Sequence, residues 1–314
     1  MKDRVQVAKQ YINEGYKAIT VLKFSGLSKS TYYYHISIEN KVKAKSENVG
    51  RPIVGYSLTN DSCRICDEQI KEYIMEAIQE DAFYYGYHKI THTLRREHKL
   101  IINHKKVYRL CKELQVLKGQ RVIKPQVKSR ISVNRIIKKS NELWEADIKY
   151  GYILGENKFF FVLSIIDVFD RSIIDYYIGY RCTGSDAASL LRRCLIKRNL
   201  FNSTINPVIR TDNGPQFISH IFEDSCAEIH VYHERIPSRT PNKNAHIEAF
   251  HRIFQDECIG VYEFNNYKDA YTEVSRFMKR YNTNRIHSSL KYKTPNEFYA
   301  QNLGKEIESM AIRL

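Results

Sequence analysis

Three acidic residues stand at positions where an acid is costly unless it is used. Asp147 interrupts the strand-like run "LWEADIKYGYI", Asp212 ends the short run "NPVIRTDN", and Glu248 lies one turn into the helix-like run "NAHIEAFHRIF". Sixty-four residues separate the two aspartates, and 35 separate Asp212 from Glu248. If the fold brings them together, they form a cluster of oxygen ligands suited to chemistry at phosphorus.

The chemistry follows from the electrostatics of such a cluster. Three unpaired carboxylates within a few ångströms repel one another and partly neutralise. Hard divalent cations remove that repulsion, because Mg²⁺ prefers carboxylate and water oxygens. Two such ions activate a water or a 3′-hydroxyl and stabilise the leaving oxygen in an in-line displacement. The residue types therefore favour two Mg²⁺ ions, with Mn²⁺ as a substitute.

Each acid also has an ordinary structural explanation. Asp212, directly before Asn213-Gly214, fits a turn residue, and Glu248 fits an acid that the helix dipole favours near an N-terminus. Asp147 fits a charge on an edge strand. Taken one at a time, these explanations are at least as good as catalysis, and only the combination favours a shared site.

The elements that would position the acids form a mixed sheet. "LWEADIKYGYI", "KFFFVLSIIDVF" and "RSIIDYYIGYR" are β-rich runs whose spacing predicts an antiparallel meander, and "NPVIRTDN" and "HVYHERI" are two further strands between helices. This pattern predicts an α/β domain with a central sheet of about five strands. If its first and fourth strands are neighbours, Asp147 and Asp212 meet across them.

The helix carrying Glu248 has a clear apolar stripe. Ile247, Phe250 and Phe254 share one face, which places Glu248 at the margin with Arg252 and Gln255 further along. A helix laid over the sheet edge would thus bring Glu248 to the aspartates while its neighbours are buried.

The N-terminal region is basic and helical. Residues 1–140 hold 28 Lys or Arg against 13 Asp or Glu, whereas residues 141–314 hold 22 against 22, so a polyanionic partner is expected there. Residues 1–36 are interpreted as a helix-turn-helix, with Ser28 or Ser30 as the cap of a helix that presents Lys29 and Thr31. The alternative is a plain helical hairpin.

A second unit of this kind follows at residues 62–117, after a linker at residues 37–61. Its last helix opens at Asn103, a good N-cap, and near its start stand basic residues that a DNA-reading helix requires: His104, Lys105, Lys106 and Arg109. The alternative is a solvated basic face. Residues 118–140 contain eight Lys or Arg and no acid, which predicts an extended tether along phosphates.

Several other signals carry less weight. Cys63 and Cys66 with His88 and His92 make a zinc site a weaker alternative, because the gap between the pairs is long. Asp167 and Asp170 are interpreted as a turn, with Asp167 supporting the site without ligating. The four histidines 233, 246, 251 and 287 are assigned to phosphate contact or packing, since two-metal transfer requires no protein base.

The lack of membrane-spanning and export signals in the sequence leads us to expect a cytoplasmic protein. No run of 18 apolar residues is present, and the N-terminal residues lack a signal-peptide core. Seven scattered cysteines indicate reduced thiols. We expect a cytoplasmic, nucleoid-associated protein with no membrane partner.

The order of motifs resembles a known family. The 35-residue interval matches the D,D(35)E signature of retroviral integrases and related transposases. Seven further motifs resemble those of the OrfB-type insertion-sequence transposases of the IS-three family. They are "W..D", "IDVFDR", "RTDNGPQF", "NA..E.FH" and "YNTNRIHSSLKYKTPNEF", together with "YYGYHKIT" and "INHKKVYRLCKEL". The resemblance covers about residues 60–300.

The resemblance implies an RNase H-like catalytic core at residues 141–302, preceded by all-α helix-turn-helix units. It also implies Mg²⁺-dependent cleavage of element ends and strand transfer into target DNA. Asp147, Asp212 and Glu248 would be the metal-binding catalytic triad, and Asn213 and Gly214 would shape the loop. At least a homodimer is expected, because two ends must be held together.

Two departures from the family pattern concern the handling of DNA. Gln255 stands where Lys is usual, so the phosphate contact is lost or moved to Arg252, and the loop "SRTPNKNA" has Lys243 where Asp is common. Arg285 in "NRIHSSL" is expected to hold DNA or brace the core. The alternatives to a transposase are a non-catalytic repressor that binds element ends and a nuclease of the same fold.

Overall fold

A computed structural model describes residues 2–42, 54–79, 82, 84–118, 135–201, 203, 206–236 and 244–313 of the 314-residue chain. The chain divides into two compact units, Met1–Gly55 and Tyr56–Leu314. Most of the predicted linker (residues 43–53), most of the predicted tether (residues 119–134) and residues 237–243 before Glu248 lie outside the described residues.

The first unit consists of helices around a small apolar core. The helices are α1 (Lys2–Asn13), α2 (Ala18–Ser25) and α3 (Lys29–Val42). Gly26 ends α2 with φ 64°, a left-handed conformation that glycine adopts without steric cost. Ser28 is the cap of α3, because its Oγ accepts the N–H of Thr31 at 3.1 Å. The helical character predicted for this region is confirmed, although α3 extends into the stretch interpreted as linker.

The second unit opens with a helical region that also contains a small sheet. Its elements in chain order are β1 (Tyr56–Thr59), β2 (Arg64–Cys66), α4 (Asp67–Gln79), α5 (Tyr87–Glu97), β3 (Leu100–Ile101) and α6 (His104–Glu113). The strands pair antiparallel in the order β2-β1-β3. The sequence does not predict them, because strands of two to four residues are too short to show an alternating pattern.

Local signals in this helical region behave as predicted. The run "DEQIKEYIMEAIQE" has apolar residues at helical spacing, and three of them, Ile70, Ile74 and Ala77, are buried in α4. Asn103 caps α6, because its side chain accepts the N–H of Lys105 at 2.9 Å. These features depend only on neighbours in sequence, which explains why sequence patterns find them.

The central sheet has five strands in the order β7-β6-β5-β8-β9. They are β5 (Leu143–Ile153), β6 (Lys158–Asp167), β7 (Ile173–Gly179), β8 (Val208–Thr211) and β9 (Tyr232–Arg235). β5, β6 and β7 form an antiparallel meander, and β8 and β9 continue it parallel to β5. This is the mixed, RNase H-like sheet that was predicted.

Helices cover both faces of this sheet. One face packs against α7 (Gly184–Lys197) and α8 (His220–Glu228), with Trp144 and Ile209 in the shared core. The other packs against α9 (Ala245–Phe254) and α10 (Tyr267–Thr283), with Ile247 and Phe250 in a second core. Burial on both faces makes the centre of the sheet a rigid base for side chains at its edge.

The C-terminal segment, which contains α11 (Pro295–Asn302), ties the helical region to the sheet domain. Ile286, buried among the α4–α6 core residues, donates its backbone N–H to the Tyr85 hydroxyl oxygen at 3.1 Å. The rings of His92 and Tyr292 stack with centroids 3.5 Å apart. A further strand, β10 (Ile312–Arg313), pairs with β4 (Ile136–Ile137), which lies before β5. In the described part of the chain no helix combines the length and apolarity needed to cross a membrane.

Candidate active site

The register between β5 and β8 places Asp147 beside Asp212. The strands pair in parallel with Trp144 opposite Ile209 and Glu145 opposite Arg210. Continuing this register by two residues brings Asp147 opposite Asp212, and neighbouring strands lie about 4.8 Å apart. The predicted adjacency of the first and fourth strands of the sheet is therefore confirmed.

Helix α9 lies against the same face of β5. Residues 145 and 147 point to one face because side chains alternate along a strand. Glu145 Oε2 accepts the backbone N–H groups of His246 at 3.0 Å and Ile247 at 2.9 Å. Further along the helix, His251 Nδ1 lies 3.4 Å from Asp147 Oδ2. Glu248 therefore lies on the turn of α9 between the two points at which the helix contacts β5.

Packing of α9 agrees with its sequence pattern. Ile247, Phe250 and Phe254 are buried, while Glu248 and Arg252 are exposed at the margin. Beyond Phe254 the helix widens into a π-helical turn, Gln255–Ile259. Such turns are frequent at functional sites, and Gln255 is the first residue of this one.

The loop after β8 is shaped by its own side chains. Asp212 Oδ1 accepts the N–H of Gly214 at 2.9 Å, and the Asn213 side-chain amide donates to the carbonyl of Ile236 at 2.8 Å. A Cβ on Gly214 would lie 3.0 Å from Asp212 Oδ1 and closer still to the Gln216 amide. The interpretation of this segment as a turn is thus correct. Among the described residues, the second carboxylate oxygen of Asp212, Oδ2, accepts no hydrogen bond.

The charge of Asp147 perturbs the other two carboxylates. Burial raises the pKa of Asp212, and the negative charge of Asp147 raises it further, against the lowering effect of the Gly214 hydrogen bond. Burial raises the pKa of Glu248, and so do the charges of Asp147 and Glu145, while Arg252 and His251 lower it. Within the described ranges none of these three acids forms an ion pair with Lys or Arg. Arg252 and His251 therefore offset part of the charge of Glu248 from a distance, but within the described ranges no Lys or Arg occupies the carboxylate oxygens themselves.

These residues fit divalent metal ions in chemistry and in charge. Carboxylates without a cationic partner are the ligand type that Mg²⁺ and Mn²⁺ prefer. Across the described residues, no three His, Cys, Asp or Glu side chains already converge as a finished metal cage. Asp147 Oδ1 instead accepts the N–H of Ile148 at 2.7 Å, and unpaired carboxylates brought together without a cation would repel one another.

A buried acid, Asp167, supports the strand of Asp147 from its start. Asp167 is fully buried, and it accepts the N–H of Asn141 at 2.7 Å and the indole N–H of Trp144 at 3.2 Å. It also accepts the N–H groups of Phe169 and Asp170 in the turn after β6. The predicted turn is confirmed, and Asp167 fixes the start of the strand that carries Asp147.

Glu145 is not among the site residues predicted from the sequence. Its side chain has 0% exposure, and burial raises its pKa to about 7, against the lowering effect of the hydrogen bond from Ile247. The available signal was its spacing, since it shares the strand face of Asp147. His251 was assigned only to phosphate contact or packing, and its contact with Asp147 depends on a helix about 100 residues away in sequence.

The predicted DNA-contacting residues lie in different settings. Lys29, His104 and Lys105 are exposed at the starts of α3 and α6, and Thr31 is half-buried. Lys106 and Arg109 both form ion pairs with Asp67 at 2.6 Å. Arg285 pairs with the buried Glu257 at 2.8 Å, as the bracing alternative requires. Use of these side chains on DNA stays a prediction.

The zinc alternative has no support in the described residues. Cys63 and Cys66 are exposed on the β1–β2 hairpin, His92 stacks on Tyr292, and His88 packs against Tyr87. No metal-binding group of His, Cys, Asp and Glu is found there.

The chain is similar to several known families and proteins. Two families described as Integrase core domain match residues 138–241 and 230–295, and a family described as HTH-like domain matches residues 66–123. A protein of insertion element IS476 from Xanthomonas euvesicatoria is 28% identical over 219 residues, which cover 69% of this chain and 60% of that protein. The putative transposase InsK of IS150 from Escherichia coli K12 is 25% identical over 301 residues, covering 92% of this chain and 96% of that protein.

Among solved structures, the chain is similar to the HTLV-2 integrase catalytic core domain in complex with magnesium, with 17% sequence identity and a TM-score of 0.36. The match covers 51% of this chain and 97% of the integrase chain. The matching families account for the helical region and the sheet domain in the order observed along the chain. With an HTH-like domain followed by an integrase core, and with insertion-sequence transposases among its relatives, the chain fits the OrfB-type transposases of the IS-three family.

Proposed function

We propose that this transposase binds the ends of its insertion sequence and catalyses metal-dependent cleavage of the ends and strand transfer into target DNA. Asp147, Asp212 and Glu248 are its catalytic residues in this proposal. The observation that carries it is the β5–β8 register, which, continued by two residues, aligns two acids that 64 residues separate in sequence. The third acid lies on the helix that β5 itself holds.

In this proposal Asp147, Asp212 and Glu248 hold two Mg²⁺ ions, and Mn²⁺ can replace them. When bound, the ions lower the pKa of the attacking water or 3′-hydroxyl and neutralise charge on the leaving oxygen. The protein contributes ligands fixed on a buried sheet, so little reorganisation is needed as the phosphate reacts. The absence of a Lys or Arg ion pair to these three acids among the described residues supports this, since such a cation would compete for the same oxygens.

The DNA-binding part of the proposal rests on the helical region. His104 and Lys105 are exposed at the start of α6, where backbone N–H groups and positive side chains both favour phosphate. The segment around Ile286 packs into the core of this region, which ties α6 to the integrase core. End recognition and catalysis therefore share one compact unit.

Assembly and location complete the proposal. Two ends must be held while both are joined to a target, so we expect a homodimer or a larger assembly on DNA. Because the substrate is cellular DNA, we expect the protein at the nucleoid. Arg252 and Gln255, which follow Glu248 along one helix, are expected to face the DNA end.

One experiment tests the function. The purified protein is incubated with labelled DNA carrying the element ends, a target plasmid, and Mg²⁺ or Mn²⁺, beside a Glu248→Gln variant. Asp175→Asn is the matched control, because Asp175 is buried and ion-paired with Arg193 and Lys197 on the opposite side of the sheet domain.

We expect joined product from the wild type and from Asp175→Asn but not from Glu248→Gln. Cleavage without joining would instead identify a nuclease of the same fold, and binding with neither would identify a repressor. Full activity of Glu248→Gln would remove Glu248 from the triad.

A further inference from the structure

A buried glutamate connects the strand of the first catalytic acid to the helix of the third. Glu145 lies in β5 two residues before Asp147, and its side chain is inaccessible to solvent. Its Oε2 accepts two backbone N–H groups of α9, from His246 at 3.0 Å and Ile247 at 2.9 Å. Its Oε1 lies 3.1 Å from Nδ1 of His246. All of these contacts go to the first turn of α9.

The first turn of a helix leaves N–H groups without partners, and the helix normally satisfies them with its own N-cap side chain. Asn244 occupies that position in α9, but its side chain makes no capping hydrogen bond. Its φ and ψ, −109° and 33°, also differ from the extended backbone usual at an N-cap. The carboxylate of Glu145, about 100 residues earlier in sequence, takes over this capping function.

Burying a carboxylate is expensive unless it is well hydrogen-bonded. The helix dipole and two charge-assisted hydrogen bonds offset part of that cost. A cap from Asn244 itself would hold the helix end without fixing where the helix lies. A cap from β5 does both, because it ties the first turn of α9 to a defined position on the strand.

That position determines the geometry of the triad. Glu248 follows Ile247 directly, and Asp147 lies on the same strand face as Glu145. The capping contacts therefore set how far Glu248 stands from Asp147. The rest of α9 is held independently, since Phe250 and Phe254 are buried in the core. Ile247 in the first turn is buried as well, so loss of the cap should loosen the first turn without unfolding the helix.

We infer that Glu145 is a positioning residue that places Glu248 beside Asp147 by capping α9 from the neighbouring strand. This inference rests on the proposed function for its catalytic consequence. Its structural part, the cap, can be measured without metal or DNA.

The test compares three substitutions in the full chain. Glu145→Leu keeps the approximate size and removes both acceptors, whereas Glu145→Gln keeps one acceptor oxygen for the α9 amides. Asp175→Asn removes ion pairs to Arg193 and Lys197 far from α9 and reports a general loss of stability.

Amide hydrogen exchange of the metal-free protein is the first measurement. We expect faster exchange at His246 and Ile247 in Glu145→Leu, intermediate exchange in Glu145→Gln, and no change in Asp175→Asn. Protection of these two amides in Glu145→Leu equal to that in the wild type would overturn the cap.

End cleavage at saturating Mg²⁺ is the second measurement. A displacement of about 1 Å in a catalytic group can lower a rate about 100-fold, and we expect a loss of that order for Glu145→Leu. Binding of end DNA should be unchanged, and Glu145→Gln should recover most of the rate.

The outcomes separate the two proposals. An active wild type, an inactive Glu248→Gln and a fully active Glu145→Leu would overturn the positioning role alone. So would a Glu145→Gln as slow as Glu145→Leu. An inactive wild type, or an active Glu248→Gln, would overturn the proposed function, and the exchange measurement would still decide the cap.

Discussion

Removing one catalytic carboxylate should stabilise the metal-free protein while it abolishes activity. Asp147 and Asp212 occupy adjacent positions on paired strands, and neither has a Lys or Arg partner among the described residues. Two charges about 5 Å apart at a half-exposed site, with an effective dielectric constant of about 40 to 80, repel by about 1 to 2 kcal/mol. Asp147→Asn removes that repulsion and keeps an oxygen for the N–H of Ile148.

The expected shift is measurable by thermal unfolding at pH 8, where imidazoles are ordinarily neutral. For a domain of this size, 1 kcal/mol corresponds to about 2–4 °C, so Asp147→Asn should raise the metal-free Tm by about 2–8 °C. Mg²⁺ at ten times its dissociation constant should stabilise the wild type by about 1.4 kcal/mol. The variant, which lacks a ligand, should show little of this increase.

Asp175→Asn is the control for this experiment. It removes ion pairs of 2.7 and 2.8 Å to Arg193 and Lys197, so its Tm should fall equally with and without Mg²⁺. A metal-free Tm of Asp147→Asn at or below that of the wild type would refute mutual repulsion of the acids. A full Mg²⁺ shift in that variant would show that Asp147 is not a ligand.

Three further predictions concern other parts of the chain. Burial, with nearby Arg285 among other cations, lowers the pKa of His287 well below 6.5, so the stability that its neutral form contributes is present above pH 6.5 and is lost as pH falls. Between pH 7.5 and 5.5, the Tm of His287→Phe should therefore fall less than that of the wild type. Equal falls in Tm for the two proteins would contradict this. Asn103→Ala should lower the free energy of unfolding by about 1 kcal/mol in urea titrations, because the cap of α6 is lost, whereas an unchanged midpoint would show that the cap is replaced. Gln255→Lys should steepen the slope of log K against log salt for end DNA by about 0.9, through one added phosphate contact, and an unchanged slope would place residue 255 away from the backbone.

The contrast between sequence and structure is clearest in the helical region. Asn103 as a cap and the buried stripe of α4 follow from residues within one or two turns, so their patterns are legible in the sequence. The spacing of Lys106 and Arg109 also predicts an exposed basic face on α6. The fold instead brings Asp67 against both of them, and no local pattern encodes that contact.

In the active site, too, local features follow from the sequence and contacts between distant segments follow from the fold. The sequence by itself determined which three acids are candidates, the strand and helix types that carry them, and the apolar stripe that leaves Glu248 at a margin. Only the tertiary structure decided that β8 lies beside β5 in the register that aligns Asp212 with Asp147, and that Glu145 caps α9. The physical reason is that periodicity and capping are local, whereas strand register and the burial of a carboxylate against a distant helix depend on packing between segments about 60 to 100 residues apart.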